Sequence, residues 1–322
     1  MNEFALIDRF FRRATHDPAV RTGIGDDGAV VAPAPGCELV LSVDMLVEGS
    51  HFLAGVDPAT LGHKTLAVNL SDMAAMGAQP RWALLAGALP DFDERWLSDF
   101  TRGLFELADR FDVALIGGDT TRGPRNLCLT IIGELPAGTA ITRAGAAPGD
   151  DIFVSGTLGD AALALAVLQR RATLGSADFA RARSRLETPE PRVALGARLR
   201  GVATAAIDIS DGLTGDLAHI LERSCAGAVI DLASIPRSIP LAALIDGEER
   251  DLGLACLLAG GDDYELCFTA PPSSREAIAA IARDGDVPLA RIGQVTAGTG
   301  LVVRDERGAP LAKLPRSFDH FG

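Results

Sequence analysis

Short apolar runs alternate with longer amphipathic segments along the whole chain, and this alternation restricts the possible fold more than any other feature. In the first half it predicts strands at residues 38–44, 82–89, 113–116 and 127–134, with helices at 64–76 and 94–111. Strands separated by helices in this way are typical of α/β folds, because the helices cover the faces of the sheet that the strands form.

The alternation restarts after a stretch rich in glycine, alanine and proline at residues 142–149. Beyond it the pattern predicts strands at 151–154, 205–209, 228–232, 265–269 and 290–295, with helices at 158–171, 213–224 and near 274–283. Such a stretch commonly separates domains, and a chain of 322 residues suits two cores of ordinary size. We therefore expect two tandem domains, 1–148 and 149–322, of a mixed α/β (α+β) fold.

The charge and the apolar content of the chain restrict its partners. The formal net charge is -13 at pH 7 and there is no long run of lysine or arginine, so a nucleic-acid phosphate backbone would be repelled. No apolar run reaches membrane-spanning length, and the N-terminal segment lacks a signal-peptide pattern. The five cysteines form no CxxC pair. We expect a cytoplasmic protein with reduced cysteines and with no nucleic-acid or membrane partner.

The segment GIGDDG at residues 23–28 satisfies the pattern GxGxxG, which is found in dinucleotide-binding folds. That interpretation fails because the preceding residues are polar and the variable pair is Asp26-Asp27, whose carboxylates would repel a pyrophosphate. A divalent cation between the carboxylates and a phosphate would make the same loop useful. An acidic surface turn is the alternative, and for this loop taken alone it is the better one.

Oxygen-bearing side chains recur where predicted strands and helices end. Ser42 and Asp44 share one face of a strand because side chains alternate along it, and Asn69 and Asp72 lie three apart on one helix face. Carboxylates also follow the later strands, at Asp119, Asp208 and Asp211. In parallel-type sheets the carboxyl ends of strands meet, so we expect these aspartates to converge. Each by itself is more often a turn or solvated residue.

The recurrence favours a hard metal, and oxygen ligands without His or Cys favour Mg²⁺. Because Mg²⁺ is commonly held by a few carboxylates together with substrate phosphates, a nucleoside triphosphate is the expected ligand. The chain has no GxxxxGK[ST] loop and no protein-kinase motifs. Arg143 is the best basic candidate for a phosphate contact, with a charge on a surface linker as an equal alternative.

Seven motifs, in this order, resemble the thiamine-monophosphate kinase family and span nearly the whole chain: GIGDD at 23–27, DMLVEGSHF at 44–52, KTLAVNLSDMAAMGA at 64–78, GGDTTRG at 117–123, SGTLGDAA at 155–162, AIDISDGL at 206–213 and GGDDYEL at 260–266. The closing FDHF at 318–321 matches as well. Any one motif alone indicates only the wider superfamily, which includes aminoimidazole ribonucleotide synthetase and selenophosphate synthetase.

The resemblance implies two α/β domains, a homodimer formed through the N-terminal sheet, several Mg²⁺ ions and ATP as phosphoryl donor to thiamine monophosphate. It implies an ATP-binding, Mg-binding and dimerisation role for residues 1–148, with 149–322 completing the active-site cleft. The matching metal ligands are Asp27, Ser42, Asp44, Asp72, Asp119, Asp208 and Asp211. The matching nucleotide contacts are Gly118, Asp119, Arg143 and Ser210, and the matching substrate contacts are His51, Asp262 and Phe318.

Two positions depart from the family pattern, which commonly has Glu at position 262 and Tyr or Trp at position 318. Asp262 and Phe318 keep the carboxylate and the aromatic ring. The alternatives are a strand cap for Asp262, packing of the C-terminal tail for Phe318 and a neutral, hydrogen-bonded histidine for His51. Another superfamily member and a noncatalytic Mg-nucleotide sensor are the rival functions.

Overall fold

The computed structural model describes residues 3–15 and 17–317. The chain divides into two compact units, one comprising Met1–Met73 with Ala78–Ala140 and the other comprising Ala74–Gly77 with Ile141–Gly322. Within the described residues, no helix combines the length and the apolar character that a membrane span needs.

The first unit is built on a four-stranded sheet in the order β3-β6-β4-β5. Strand β6 is antiparallel to β3 and β4, and β5 is parallel to β4. The strands of this sheet are β3 (Cys37–Val47), β4 (Gln79–Leu89), β5 (Ala114–Arg122) and β6 (Asn126–Pro136), and a separate two-stranded antiparallel sheet is formed by β1 (Val20–Thr22) and β2 (Val30–Val31). The helices of the unit are α1 (Glu3–Leu6), α2 (Pro58–Ala75) and α3 (Glu94–Arg110).

The core of this unit lies on one face of the sheet. Every second side chain of β6 is buried there, as at Leu129 and Ile131, because residues two apart point to the same side of a strand. The buried stripe of α3 includes Phe100 and Leu107, and Asp93 begins the helix by accepting hydrogen bonds from two free N–H groups of its first turn. The sheet therefore presents one covered face and one face that the described helices leave open.

The second unit is built on a six-stranded sheet in the order β12-β9-β11-β7-β10-β8, antiparallel except for the parallel pair β12 and β9. The strands are β7 (Asp151–Ser155), β8 (Ala205–Asp208), β9 (Gly227–Asp231), β10 (Leu266–Ala270), β11 (Leu289–Thr296) and β12 (Gly300–Arg304). The helices are α4 (Asp160–Leu168), α5 (Ser176–Glu187), α6 (Val193–Leu199), α7 (Leu213–Ser224), α8 (Ile239–Asp246), α9 (Arg250–Ala259) and α10 (Arg275–Asp284).

The mixed α/β class expected from the sequence is confirmed, but the expected parallel-type sheets are wrong. Both sheets are mostly antiparallel, and the strand predicted at 113–116 continues through Gly117 and Gly118 to Arg122. The two glycines indicated a strand end because glycine weakens strands. Pairing with β4 continues across them. Helices α5, α6, α8 and α9 and strand β12 were not predicted.

Candidate active site

A cavity of about 770 Å³ in the first unit brings two of the predicted motifs together. Its lining includes the whole GIGDDG loop, residues 23–28, and the segment Gly117–Asp119 from β5. Asp27, Gly118 and Asp119 therefore line one cavity, although more than half of the unit separates them in sequence. The remaining lining is largely apolar and aromatic, including Phe11, Trp96 and Phe100.

The glycine-aspartate segment of β5 is held by its pairing with β4. Gly118 lies opposite Leu85, and Asp119 lies opposite Ala86. A methyl group at position 118 would lie 1.9 Å from the carbonyl oxygen of Leu85, so the two backbones approach as closely as they do only because residue 118 is glycine. Asp119 and Asp27 are both exposed, which leaves their carboxylates accessible to a cation and its phosphate ligands.

A second group of oxygen ligands lies between β3 and α2. The register of β3 against β6 is unbroken, so Ser42 and Asp44 share one face as predicted. Ser42 Oγ donates a hydrogen bond to Asp72 Oδ2 at 2.5 Å, which places a strand ligand beside a helix ligand. Asp44 lies two residues further along the same face of β3. Burial, followed by the negative charge of Asp44, raises the pKa of the Cys128 thiol on the neighbouring strand.

Asn69, which the sequence placed on the same helix face as Asp72, is fully buried. Its Nδ2 donates to the Thr65 carbonyl at 3.1 Å, while its Oδ1 has no hydrogen-bond partner among the described residues. A buried acceptor without a donor is costly. This part of α2 therefore carries one buried oxygen atom, Asn69 Oδ1, that no hydrogen bond among the described residues satisfies.

Asp44 and Asp119 do not come together as the sequence predicted. They lie on β3 and β5, the two edge strands of the four-stranded sheet. Three strand spacings of roughly 4.8 Å separate these strands. Asp44 also lies inside β3 and Asp119 inside β5, so the argument from strand ends was wrong for both. Among the described residues, the structure forms no cluster of three or more His, Cys, Asp or Glu side chains suited to a metal.

In the second unit, the end of β8 and the turn after it carry three of the predicted site residues. Asp208 is the last residue of β8 and is buried, while Ser210 and Asp211 follow it and are half-buried. The N–H of Asp262 donates to the Ser210 carbonyl at 2.8 Å, and Tyr264 N–H donates to the Ile209 carbonyl at 2.8 Å. The AIDISDGL and GGDDYEL motifs therefore lie side by side.

Asp262 itself adopts a left-handed backbone conformation, with φ of 60°. Such a conformation costs a non-glycine residue free energy and is often found at functional sites. Tyr264 OH donates to Asp262 Oδ1 at 3.1 Å, which orients the carboxylate. The position carried over from the family as a substrate contact is therefore both strained and oriented.

The remaining predicted residues have simpler surroundings. Arg143 is exposed, and its carbonyl accepts a hydrogen bond from Ser224 Oγ at 3.3 Å. His51 Nδ1 accepts a hydrogen bond from Val47 N–H at 3.1 Å. Phe318 lies outside the described residues.

Sequence reasoning missed a group of buried carboxylates that hold the loops of the second unit. Glu265 is fully buried and accepts hydrogen bonds from Arg185, Arg192 and Ser155. Asp263 accepts from Gly159 N–H at 2.9 Å, and burial raises its pKa well above the usual range. The available signal was acidic residues inside apolar motifs, because a buried charge requires a partner.

Asp216 is a further buried carboxylate that sequence reasoning did not select. It lies in the first turn of α7 and is 2 % exposed. Burial, with the charge of Asp211 as a second cause, raises its pKa to about 7. Its Oδ2 accepts hydrogen bonds from the turn that carries Ser210 and Asp211.

Two protein-family models match the chain, one after the other. The AIR synthase related protein N-terminal domain matches residues 25–135, and the corresponding C-terminal domain matches residues 147–306. The chain is thus an AIR synthase related protein that contains both domains of this class.

Comparison of the whole chain with known proteins identifies one family within the AIR synthase related proteins. The chain is 47% identical to thiamine-monophosphate kinase of Escherichia coli K12, over 99% of this chain and 98% of that protein. It is 39% identical to the Haemophilus influenzae protein of the same name, over 100% of this chain and 98% of that one. A crystal structure of thiamine-monophosphate kinase from Stenotrophomonas maltophilia K279a superposes with a TM-score of 0.86 at 48% identity, covering 94% of this chain and 96% of that one. The chain belongs to the thiamine-monophosphate kinase family, and the resemblance seen in its motifs is confirmed.

Proposed function

We propose that this protein transfers the γ-phosphoryl group of ATP to thiamine monophosphate, forming thiamine diphosphate and ADP. The observation that carries the proposal is the match with the Escherichia coli kinase along 99% of this chain. Support for the two substrates comes from the solved structure of AaThiL complexed with AMPPCP and TMP, which superposes with a TM-score of 0.78 at 29% identity, over 90% of this chain and 89% of that one. The reaction class is a phosphotransferase with a phosphate group as acceptor.

The proposal includes several Mg²⁺ ions, because the donor atoms fit this metal. Every candidate ligand presents oxygen, and Ser42 Oγ and Asp72 Oδ2 are already adjacent at 2.5 Å. Asp27 and Asp119 line the same cavity. The proposed ligands are Asp27, Ser42, Asp44, Asp72, Asp119, Asp208 and Asp211. Bound Mg²⁺ would supply positive charge against the phosphates of the two substrates.

Other residues are proposed to hold the two substrates. The backbone at Gly118 and the side chain of Ser210 would contact the nucleotide phosphates together with Asp119 and its cation, and the exposed Arg143 guanidinium would add a basic contact. His51, Asp262 and Phe318 are proposed for thiamine monophosphate. The Asp262 carboxylate suits the cationic thiazolium ring or its aminopyrimidine. Residues 1–148 and 149–322 are proposed as the two functional domains.

The chemistry requires no protein base. A phosphate monoester has a second pKa of about 6, so the acceptor is largely dianionic at neutral pH. One of its oxygens forms a bond to the γ-phosphorus, and the bond from that phosphorus to the β-γ bridging oxygen breaks as ADP leaves. The protein residues hold the two polyanions in line and orient them. We therefore propose direct transfer without a phosphorylated residue.

The first test is turnover of the purified protein with Mg-ATP and thiamine monophosphate, with thiamine as a parallel acceptor. We expect thiamine diphosphate from the monophosphate alone. No product despite measurable Mg-ATP binding would contradict the proposed acceptor and leave a noncatalytic nucleotide sensor or another superfamily activity. Recovery of a phosphorylated Asp or His after a single turnover would contradict direct transfer.

The ligand assignment has its own test in Asp44→Asn and Asp119→Asn. Both variants should stay folded and lose turnover, because a neutral amide cannot balance the charge of Mg²⁺. Asp91→Asn, an exposed aspartate of the same unit, is the matched control and should keep turnover. Wild-type rates in both ligand variants would refute the metal assignment.

We also propose a homodimer formed through the first unit's sheet. The open face of β3 carries four exposed apolar side chains, namely Leu39 at 40%, Leu41 at 63%, Val43 at 58% and Met45 at 51%. A contiguous exposed apolar stripe on a long edge strand usually marks an interface. The occupant proposed is a second copy of the chain, because most soluble oligomers pair identical surfaces.

Sedimentation equilibrium tests the dimer. The wild type should be dimeric at micromolar concentration and Leu41→Lys should be monomeric, because a buried lysine charge has no partner in the stripe. Ile239→Lys is the matched control, since Ile239 is 87% exposed and lies in the other unit. A monomeric wild type, or a dimeric Leu41→Lys variant, would refute this interface.

We also propose that the protein is cytoplasmic and that it binds neither nucleic acid nor a membrane.

A further inference from the structure

The turn between β8 and α7 is wound around a single oxygen atom. The backbone N–H groups of Ser210, Asp211 and Gly212 all donate to Oδ2 of Asp216, at 3.0, 3.1 and 3.1 Å. Three consecutive donors converging on one carboxylate oxygen form a concave backbone arrangement of the kind that binds anions. Here a side chain of the protein itself fills that concavity.

Two backbone carbonyls at the start of the same turn are also hydrogen-bonded, in this case by the GGDDYEL segment. The carbonyls of Ile209 and Ser210 accept hydrogen bonds from Tyr264 N–H and Asp262 N–H, both at 2.8 Å. The backbone donors of the turn are therefore occupied by Asp216, and these two acceptors by the GGDDYEL segment. What the turn still offers to a ligand is its side chains, at Ser210 and Asp211.

This arrangement differs from an ordinary helix cap. A capping side chain accepts from the unsatisfied N–H groups of the helix's own first turn. Helix α7 begins at Leu213, and the three N–H groups that Asp216 accepts all belong to residues before it. The N–H groups of Gly215 and Asp216 are instead satisfied by the Gly212 carbonyl, at 3.0 Å each. Asp216 thus acts on the preceding turn.

We propose that Asp216 is a positioning residue for phosphoryl transfer, holding the turn so that Ser210 and Asp211 meet the nucleotide phosphates and their cation. This inference rests on the proposed function, in which Ser210 contacts ATP and Asp211 binds Mg²⁺. Asp216 does not touch the substrates, because its carboxylate faces the inner side of the turn and is buried. Its contribution is to have the turn formed before the nucleotide arrives, which lowers the ordering cost of binding.

The test uses Asp216→Asn in the full chain. The measurements are made at about pH 8.5, above the pKa of about 7 that burial gives Asp216, so that the wild-type carboxylate is ionised. The amide has nearly the same size but presents a neutral oxygen to the three donors, so each hydrogen bond weakens. We expect the affinity for Mg-ATP, measured by calorimetry, to fall about tenfold or more, because hydrogen bonds to charged groups contribute more than neutral ones. The KM for Mg-ATP should rise by a similar factor, while the KM for thiamine monophosphate at saturating Mg-ATP stays within about twofold.

Asp160→Asn is the matched control. Asp160 is likewise a buried aspartate in the first turn of a helix of the same unit, and it accepts from Ser238 Oγ at 2.5 Å. Both variants are expected to lose stability, but only Asp216→Asn should lose Mg-ATP affinity. Equal losses of affinity in the two variants, or wild-type affinity in Asp216→Asn, would overturn the proposal.

Amide hydrogen exchange on the wild type decides the matter if Asp216→Asn does not fold. The amides of Ser210, Asp211 and Gly212 should exchange slowly before any nucleotide is added, because each is already bonded to a buried carboxylate. Exchange as fast as in an exposed loop would overturn the proposal. Neither the calorimetric affinity for Mg-ATP nor the amide exchange uses thiamine monophosphate, so failure of turnover with that acceptor would refute the proposed function without affecting these two measurements.

Discussion

Gly118→Ala tests whether the close approach of β5 to β4 is what positions the nucleotide segment. The added Cβ would lie 1.9 Å from the Leu85 carbonyl oxygen and 2.7 Å from its carbon. Gly118 also has φ of 149°, a conformation that side chains rarely adopt. Ordinary van der Waals contact of a Cβ atom begins near 3.4 Å, so the strands must separate by more than an ångström.

The cost can be worked out from these two effects. Forcing an alanine into a backbone conformation of positive φ costs roughly 1–2 kcal/mol. Overpacking against a neighbouring backbone costs typically about 1–3 kcal/mol. We expect a total loss of about 2–5 kcal/mol, reduced towards the lower value because β5 is an edge strand and can move outwards. Mg-ATP affinity should fall as well, because Asp119 moves with the strand.

Gly117→Ala is the matched control. Its Cβ would meet only the Cδ2 atom of Leu84 at 2.8 Å, which is the flexible end of a side chain, and its φ is not positive. We expect a change of about 1 kcal/mol or less.

Urea unfolding followed by tryptophan fluorescence measures both variants. The chain has two tryptophans, Trp82 and Trp96, and both lie in the first unit, so their emission reports the unfolding of that unit alone. Equal unfolding midpoints for Gly118→Ala and Gly117→Ala would refute the claim that the backbone contact at Gly118 positions this segment.

Three further predictions concern charge and metal. Asp151 is buried and accepts hydrogen bonds from the exposed side chains of Arg275 and Arg291, and the hydrogen bond from Arg275 is the largest cause holding the pKa of Asp151 below the usual value. The folded state therefore binds fewer protons, so the stabilisation is present above the unfolded pKa of about 3.9 and is lost as pH falls through the folded value. The stability difference between wild type and Asp151→Asn should shrink in acid, and a pH-independent difference would contradict this. Arg192→Met should cost about 3 kcal/mol because the Glu265 charge stays buried, and adding Glu265→Gln should recover part of it in urea unfolding. Removal of divalent metal with EDTA should abolish turnover and Mg²⁺ should restore it, whereas turnover in EDTA would contradict the metal requirement.

Local features of the site were predictable from the sequence. The shared face of Ser42 and Asp44 follows from the two-residue period of a strand, and the structure keeps that period without a bulge. Helix α7 occupies residues 213–224 as predicted, with glycine immediately before it and an acidic residue in its first turn. These properties depend on consecutive residues, whose side chains and dihedral angles are fixed locally.

Which distant motifs lie next to each other could not be predicted from the sequence. That Asp27 shares a cavity with Asp119, or that Ser42 donates to Asp72, depends on how distant elements pack. The hydrogen bonds between Asp216 and the turn before it span only a few residues. They could not be predicted either, because an aspartate in the first turn of a helix can accept hydrogen bonds from several nearby backbone groups.

By itself, the sequence determined the α/β class, the family and the residue types of the site, because periodicity and motif spacing are properties of neighbouring residues. Only the tertiary structure decided that the sheets are mostly antiparallel and that Asp44 and Asp119 lie on opposite edge strands. Strand order is set by which apolar faces are buried together across long stretches of chain. No local pattern of residues contains that information.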